Sequence, residues 1–180
     1  MDMWNREAVE AELAQLPLLQ YAFAKPEELV FTERVRHVCE AECPMYGKTW
    51  ACPPAVGTVE ACREKCLGYE GVLILSTVTE VSDISNLEET LATRGGHEAV
   101  THQAEAILQA QGLETMGLST EACAICDQCA YPDGPCRHPA QMYPCVESHG
   151  ILVTEVAERL GLEFFNGNLV TWFSLVLFRS

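Results

Sequence analysis

The sequence predicts an α+β fold: a single mixed or antiparallel sheet covered by helices and carrying two cysteine-rich loops. Three observations lead there. Two runs, Val72 to Val78 and Leu169 to Phe178, are dense in β-branched and aliphatic residues and have the length of strands. Apolar residues recur at helical spacing before and between them. The cysteines gather in two segments where proline and glycine break regular structure. With 180 residues and 48% hydrophobic content, the chain is sized for one domain, residues 1–180, with a core of its own.

The elements follow in order. Val9, Leu13 and Leu16 give helical spacing between Arg6 and Leu19, and Pro17 ends it. Phe31 to Val38 reads as an extended segment leading into Cys39. Pro44, Gly47, Pro53, Pro54 and Gly57 then make a loop of the first cysteine group. Thr58 is positioned to cap a short helix to Leu67, and Gly71 turns the chain into the first strand. After Ser85, the residues Val100, Ala104, Ile107 and Leu108 carry a helical period toward Gly112, with Gly95 and Gly96 as candidate breaks, so one long helix or two short ones fit. Leu113 to Leu118 is a strand feeding into Cys123. The second cysteine group occupies a loop containing Pro132, Gly134, Pro135 and Pro139. Ile151 to Leu160 is helical with Gly161 as its stop, and the last strand follows the turn residues Asn166, Gly167 and Asn168. Helices then cover the sheet, and both cysteine loops lie at its ends or edges.

A net charge of -15 excludes a nucleic-acid surface, because phosphate binding draws its affinity from a surplus of Lys and Arg. The apolar run Leu169 to Phe178 is about half the length of a membrane span. The opening residues carry acids through an amphipathic pattern, with no basic start followed by an apolar run, so no secretory signal and a cytoplasmic location are expected.

Ten cysteines in such a chain mean disulfides or metal. A reducing compartment keeps thiols free, and the same spacings then point to metal. The more specific set is Cys123-x2-Cys126-x2-Cys129-x6-Cys136. Thiolates at two successive two-residue gaps wrap a compact iron-sulfur cluster, with backbone N–H groups aimed at the sulfides. Bacterial-type ferredoxins follow the run quickly with Cys-Pro. Here Cys136 comes later, before Arg137, His138 and Pro139, which leaves the fourth ligand open. Zinc is the rival metal, although structural zinc more often takes two separated cysteine pairs.

The other set is Cys39-x3-Cys43-Pro44, with Tyr46, Gly47 and Trp50 before Cys52-Pro53-Pro54. Its prolines stiffen the backbone before any metal arrives. Tyr46 and Trp50 either shield a site from water or fill core. The final gap of eight residues is not the signature of radical enzymes that use S-adenosylmethionine. Cys62 and Cys66 share one helix face, so either is a candidate fourth ligand to this set or a buried thiol, and Cys145, nine positions beyond Cys136, is either the spare ligand of one of the two sites or a buried thiol. His37 and His138 flank the cysteine groups, while His97, His102 and His149 have no motif around them. Arg137 and Glu147 are candidate charge partners near the second group. No catalytic triad pattern, Gly-rich phosphate loop or His-Glu metalloprotease run is present, and no catalytic residue is assigned.

The segments Cys39 to Pro54 and Cys123 to Val153 resemble the two hallmark stretches of a family of predicted metal-binding proteins grouped under a domain of unknown function (DUF2284). The resemblance implies metal binding, with Cys39, Cys43 and Cys52 answering to one motif and Cys123, Cys126, Cys129 and Cys136 to the other. Cys62, Cys66 and Cys145 fall outside the pattern. The leading expectation is an iron-sulfur protein with two 4Fe-4S-type clusters that exchanges electrons with a partner protein. The alternatives are an iron-sulfur oxidoreductase with an open iron at the first site and a zinc-stabilised interaction module.

Overall fold

The computed structural model describes residues 4–180. Its helices are α1 (Arg6–Leu13), α2 (Glu33–Glu42), α3 (Val59–Leu67), α4 (Leu87–Ala92), α5 (Arg94–Ala110) and α6 (Val153–Arg159). Its strands are β1 (Gln20–Ala24), β2 (Gly71–Glu80), β3 (Glu114–Leu118) and β4 (Leu169–Arg179). The strands form one open antiparallel sheet in the order β1-β2-β4-β3. This is the α+β class that the sequence predicts, in its antiparallel form.

The central pair, β2 and β4, runs in register from Gly71 opposite Phe178 to Glu80 opposite Leu169. Both strands are apolar almost throughout because both faces of the sheet are covered. On one face Val72, Ile74, Phe173, Leu175 and Leu177 pack with Cys66 of α3, Leu118, Val146, Ile151 and Val156 of α6. On the other, Leu73, Leu75, Val176 and Phe178 pack with Val9 and Leu13 of α1 and Ala104 and Leu108 of α5.

Three local expectations are corrected and one strand, β1, is added. Phe31 to Val38 is not extended: Thr32 accepts a hydrogen bond from the Arg34 N–H at 3.2 Å, and α2 starts there, running past Cys39 to Glu42. The cap outweighs the β-branched residues that suggest a strand. Cys39 is therefore helical, and Cys43 is the residue that ends the helix, just before Pro44. The first helix stops at Leu13, although Leu16 and Leu18 still pack on the same core. β1 goes unread in the sequence because it is short and mostly half-buried, so its alternation is weak. Gly95 and Gly96 lie inside α5, and the break falls at Thr93, whose hydroxyl donates to the Thr90 carbonyl at 2.7 Å and accepts from Trp172 Nε1 at 2.8 Å.

A polar seam fixes α5 on the sheet. Thr101 and Ser174 share a buried hydroxyl hydrogen bond of 2.7 Å, and Thr77 Oγ1 meets His97 Nδ1 at 2.8 Å. His97 Nε2 has no partner, and burial drives the ring's pKa down to about 4. The unfolded chain takes up this proton near the ordinary value of 6.5, so stability falls as the pH drops from about 6.5 toward 4. His97 contributes about 3 kcal/mol of that loss, from 1.36 kcal/mol per pKa unit. Denaturant titrations across this range are expected to give His97→Gln a shallower loss than the wild type. An identical slope would exclude a buried neutral His97.

Candidate metal centre

The two cysteine sets lie beyond the C-terminus of edge strand β3. Leu118 ends the strand, and Ser119 continues in an isolated parallel bridge with Cys145. The Ser119 N–H donates to the Pro144 carbonyl at 2.9 Å, and the Val146 N–H donates back to the Ser119 carbonyl at 2.8 Å. The Cys145 N–H reaches the carbonyl of Ala51 at 3.3 Å, which sets it beside Cys52. The second cysteine segment thus leaves β3 at one side of this bridge and returns at the other.

Cys39, Cys43 and Cys52 line one cavity of about 320 Å³, together with Cys145, Tyr46, Pro53 and Glu147. α2 supplies Cys39 and ends at Cys43, while the turn-rich chain after it carries Cys52 back. Val35, Val38 and Ala122 make the wall largely apolar. The Cys52 thiol is lowered to about 7, chiefly because its sulfur accepts a hydrogen bond from Cys145, whose own thiol is raised well above its ordinary value by that bond and by burial. Cys39 is raised by burial first and by the neighbouring Cys43 next. The Glu147 carboxyl also faces this cavity. Burial pushes it up to about 7, and its Oε2 has no hydrogen-bond partner. Glu121, also on the wall, holds the left-handed backbone conformation at φ 58°, uncommon for a residue with a side chain.

Cys123, Cys126, Cys129 and Cys136 line a second, adjoining cavity with Ile125, Arg137, His138, Met142 and Trp50. Burial raises the Cys123 thiol, and the nearby Ile125 N–H partly offsets that rise. Trp50 belongs to the first segment in sequence but to this second wall in space. Its Nε1 donates to the Gly134 carbonyl at 3.0 Å, and its ring meets Tyr131 edge-on at 4.9 Å between centroids. Met45, Gly47, Lys48 and Thr49 face Cys123, Cys126 and Cys129 across a shallow groove, so the two cysteine segments pack on each other.

A buried cation stands by each set. Arg36 donates to the carbonyls of Gly57 at 2.8 Å and Ser148 at 2.6 Å, and its charge favours the thiolate of Cys39. Arg94 donates to the Thr120 carbonyl at 2.7 Å and pairs with Glu98 at 2.5 Å; its charge acts on both Cys52 and Cys123. Neither arginine carries a sequence signal, since each lies on a helix with no motif around it. Arg137, singled out in the sequence, donates to the Gln128 carbonyl at 2.9 Å and lies on the second wall.

The remaining candidates separate cleanly. Cys62 and Cys66 line neither cavity: the Cys62 thiol donates to the Val56 carbonyl at 3.4 Å, and Cys66 sits in the core, where burial raises its thiol to about 12. His37 is exposed and His138 is on the second wall. His97 and His149 are buried, and His102 stacks on Tyr143 at 4.3 Å between ring centroids. Tyr143 in turn packs on Gly117 of β3, where a Cβ would collide with its ring.

The all-thiol sets suit either an iron-sulfur cluster or zinc by donor chemistry. Among the described residues no group of three or more His, Cys, Asp or Glu side chains is arranged to hold a metal ion. The cysteines instead line shared cavities. The first has room for a cluster; the second, at about 20 Å³, holds roughly one water, so metal there displaces side chains that now fill the space. Its cysteines lie outside helix and strand, where such displacement breaks no regular hydrogen bonding. No described helix is long and apolar enough to cross a membrane.

No curated protein and no solved structure matches the chain. A family model described as "Predicted metal-binding protein (DUF2284)" matches residues 22–178, which contain both cysteine sets. With that match over most of its length, the chain belongs to the DUF2284 family of predicted metal-binding proteins.

Proposed function

We propose that the chain binds two iron-sulfur clusters of the 4Fe-4S type and exchanges electrons with a partner protein. The observation that carries this reading is the side-by-side placement of two cysteine-lined cavities, joined where Ala122 of the first wall precedes Cys123 of the second. One-electron transfer is the chemistry that such clusters supply when bound. Cys39, Cys43 and Cys52 would hold one, and Cys123, Cys126, Cys129 and Cys136 the other.

The chain's own residues do the rest. Tyr46, Val38 and Pro53 exclude water from the first set, and Trp50 and Met142 from the second, which sets the polarity around each centre. Arg36 and Arg94 offset the negative charge that several thiolates accumulate. Cys43 and Val38 are exposed, so the first centre lies near a surface that a redox partner can approach.

A second reading, an oxidoreductase with an open iron at the first site, is favoured by a neighbouring cavity of about 280 Å³. It shares Val35, Glu121 and Glu147 with the first cavity and adds the aromatic rings of Phe164, Trp172 and Phe173. A substrate there would lie against the first cysteine set.

Protein purified without oxygen is expected to be brown and to carry iron and acid-labile sulfide in equal amounts, about eight of each per chain for two cubane clusters. Colourless protein with stoichiometric zinc would exclude the redox role. Cys126→Ser is expected to lose about half of the iron. Cys66→Ala is expected to keep it all and lose about 1 kcal/mol of stability through its emptied core position. Iron loss from Cys66→Ala equal to that from Cys126→Ser would contradict the assignment of ligands.

A further inference from the structure

Three cysteines stand outside the two sets, and the fold treats them differently. Cys62 and Cys66 point into packed protein, one bonded to the Val56 carbonyl and the other among Val72, Ile74 and Leu177. Cys145 faces the first cavity with Cys39, Cys43 and Cys52. In sequence it trails the second set, but its backbone is bound to the first, through its N–H on the Ala51 carbonyl at 3.3 Å. Its position is held further by the Ser119 bridge and by the Ser148 hydroxyl, which donates to the Cys145 carbonyl at 2.6 Å. Cys52, the neighbour of Ala51, lines the same wall.

We propose that Cys145 is the fourth thiolate of the first metal centre, completing with Cys39, Cys43 and Cys52 a four-cysteine set for an iron-sulfur cluster. This rests on the iron-sulfur reading above and narrows it. Three thiolates leave one iron open to water or substrate, whereas four close the centre and suit it to electron transfer. Each thiol releases its proton as its sulfur bonds iron; assembly from two ferrous and two ferric ions, four hydrosulfide ions and four protonated thiols therefore frees about eight protons, four from the thiols and four from the hydrosulfide. The shared wall with Cys52 suits this role, because sulfurs of one metal centre must face the same space. It also suits a rival, a Cys52–Cys145 disulfide formed by a two-electron oxidant, and the experiment separates the two.

Wild type, Cys145→Ala, Cys62→Ala and Cys66→Ala are loaded with equimolar ferrous and ferric iron and sulfide without oxygen. Iron is counted, and electron paramagnetic resonance spectra are recorded after mild oxidation. The proposal expects Cys145→Ala to lose iron and to show a three-iron cluster signal absent from the other three proteins. Wild-type iron content with an unchanged spectrum in Cys145→Ala overturns the assignment and leaves the iron-sulfur reading standing; a wild type that takes up no iron overturns both. Should Cys145→Ala fail to fold, wild-type crystals of the loaded protein decide at the iron absorption edge. Cys145 Sγ bonded to an iron is the expected result. The same sulfur bonded to Cys52, or facing an iron that carries another ligand, overturns it.

Discussion

The two cysteine segments are fastened to one short stretch of backbone, Cys145 to Gly150. The Cys145 N–H binds Ala51 in the first segment, and Val146 binds Ser119 at the end of β3. The Ser148 carbonyl accepts from Arg36 of α2, and the Gly150 carbonyl accepts from the Thr32 N–H at 2.8 Å, just before that helix begins. Gly150 takes φ 74°, and a Cβ there would come within 2.8 Å of Val59 at the start of α3. Only glycine makes that turn at so close an approach without strain. Without this stretch, α2, α3, β3 and the first cysteine segment would have no common attachment. The two thiol sets would then not be neighbours.

The sheet was the easier part to read. β2 and β4 announce themselves by continuous apolar runs, which arise because α1 and α5 cover one face while α3, α6 and the Val146–Ile151 chain cover the other. α3 was legible from its cap, Thr58, whose hydroxyl accepts from the Ala61 N–H at 3.1 Å. α2 was not, because Val35, Val38 and their neighbours have strand-like composition and the deciding signal is one threonine cap. β1 depends on pairing with β2 rather than on its own pattern, and long-range pairing leaves little trace in a five-residue segment.

The site was legible in its residue types and illegible in its partnerships. Spacing alone separates the Cys123 to Cys136 set from the Cys39 to Cys52 set, and each does line a single cavity. Spacing gave no indication that Cys145 turns back to Cys52 or that Trp50 crosses to the second wall, since both depend on backbone hydrogen bonds between segments far apart in the chain. Cys62 and Cys66, open between ligand and buried thiol in the sequence, take the second reading. Their i,i+4 spacing puts them on one face, but that face is the one α3 buries in the core. Arg36 and Arg94, the buried charges that make clustered thiolates tolerable, have no local pattern by which a reader could pick them out.

The chain belongs to a predicted metal-binding family and has two adjoining thiol-lined cavities; the proposal built on them is that these sulfurs grip polynuclear iron rather than a single ion. Mössbauer spectroscopy of protein loaded with enriched iron tests it most directly, because it distinguishes iron in a cluster from isolated iron. The account predicts that all bound iron appears as the paired, delocalised sites of 4Fe-4S clusters, in two populations that Cys126→Ser and Cys145→Ala perturb separately. Iron present only as isolated high-spin ferrous sites would contradict it.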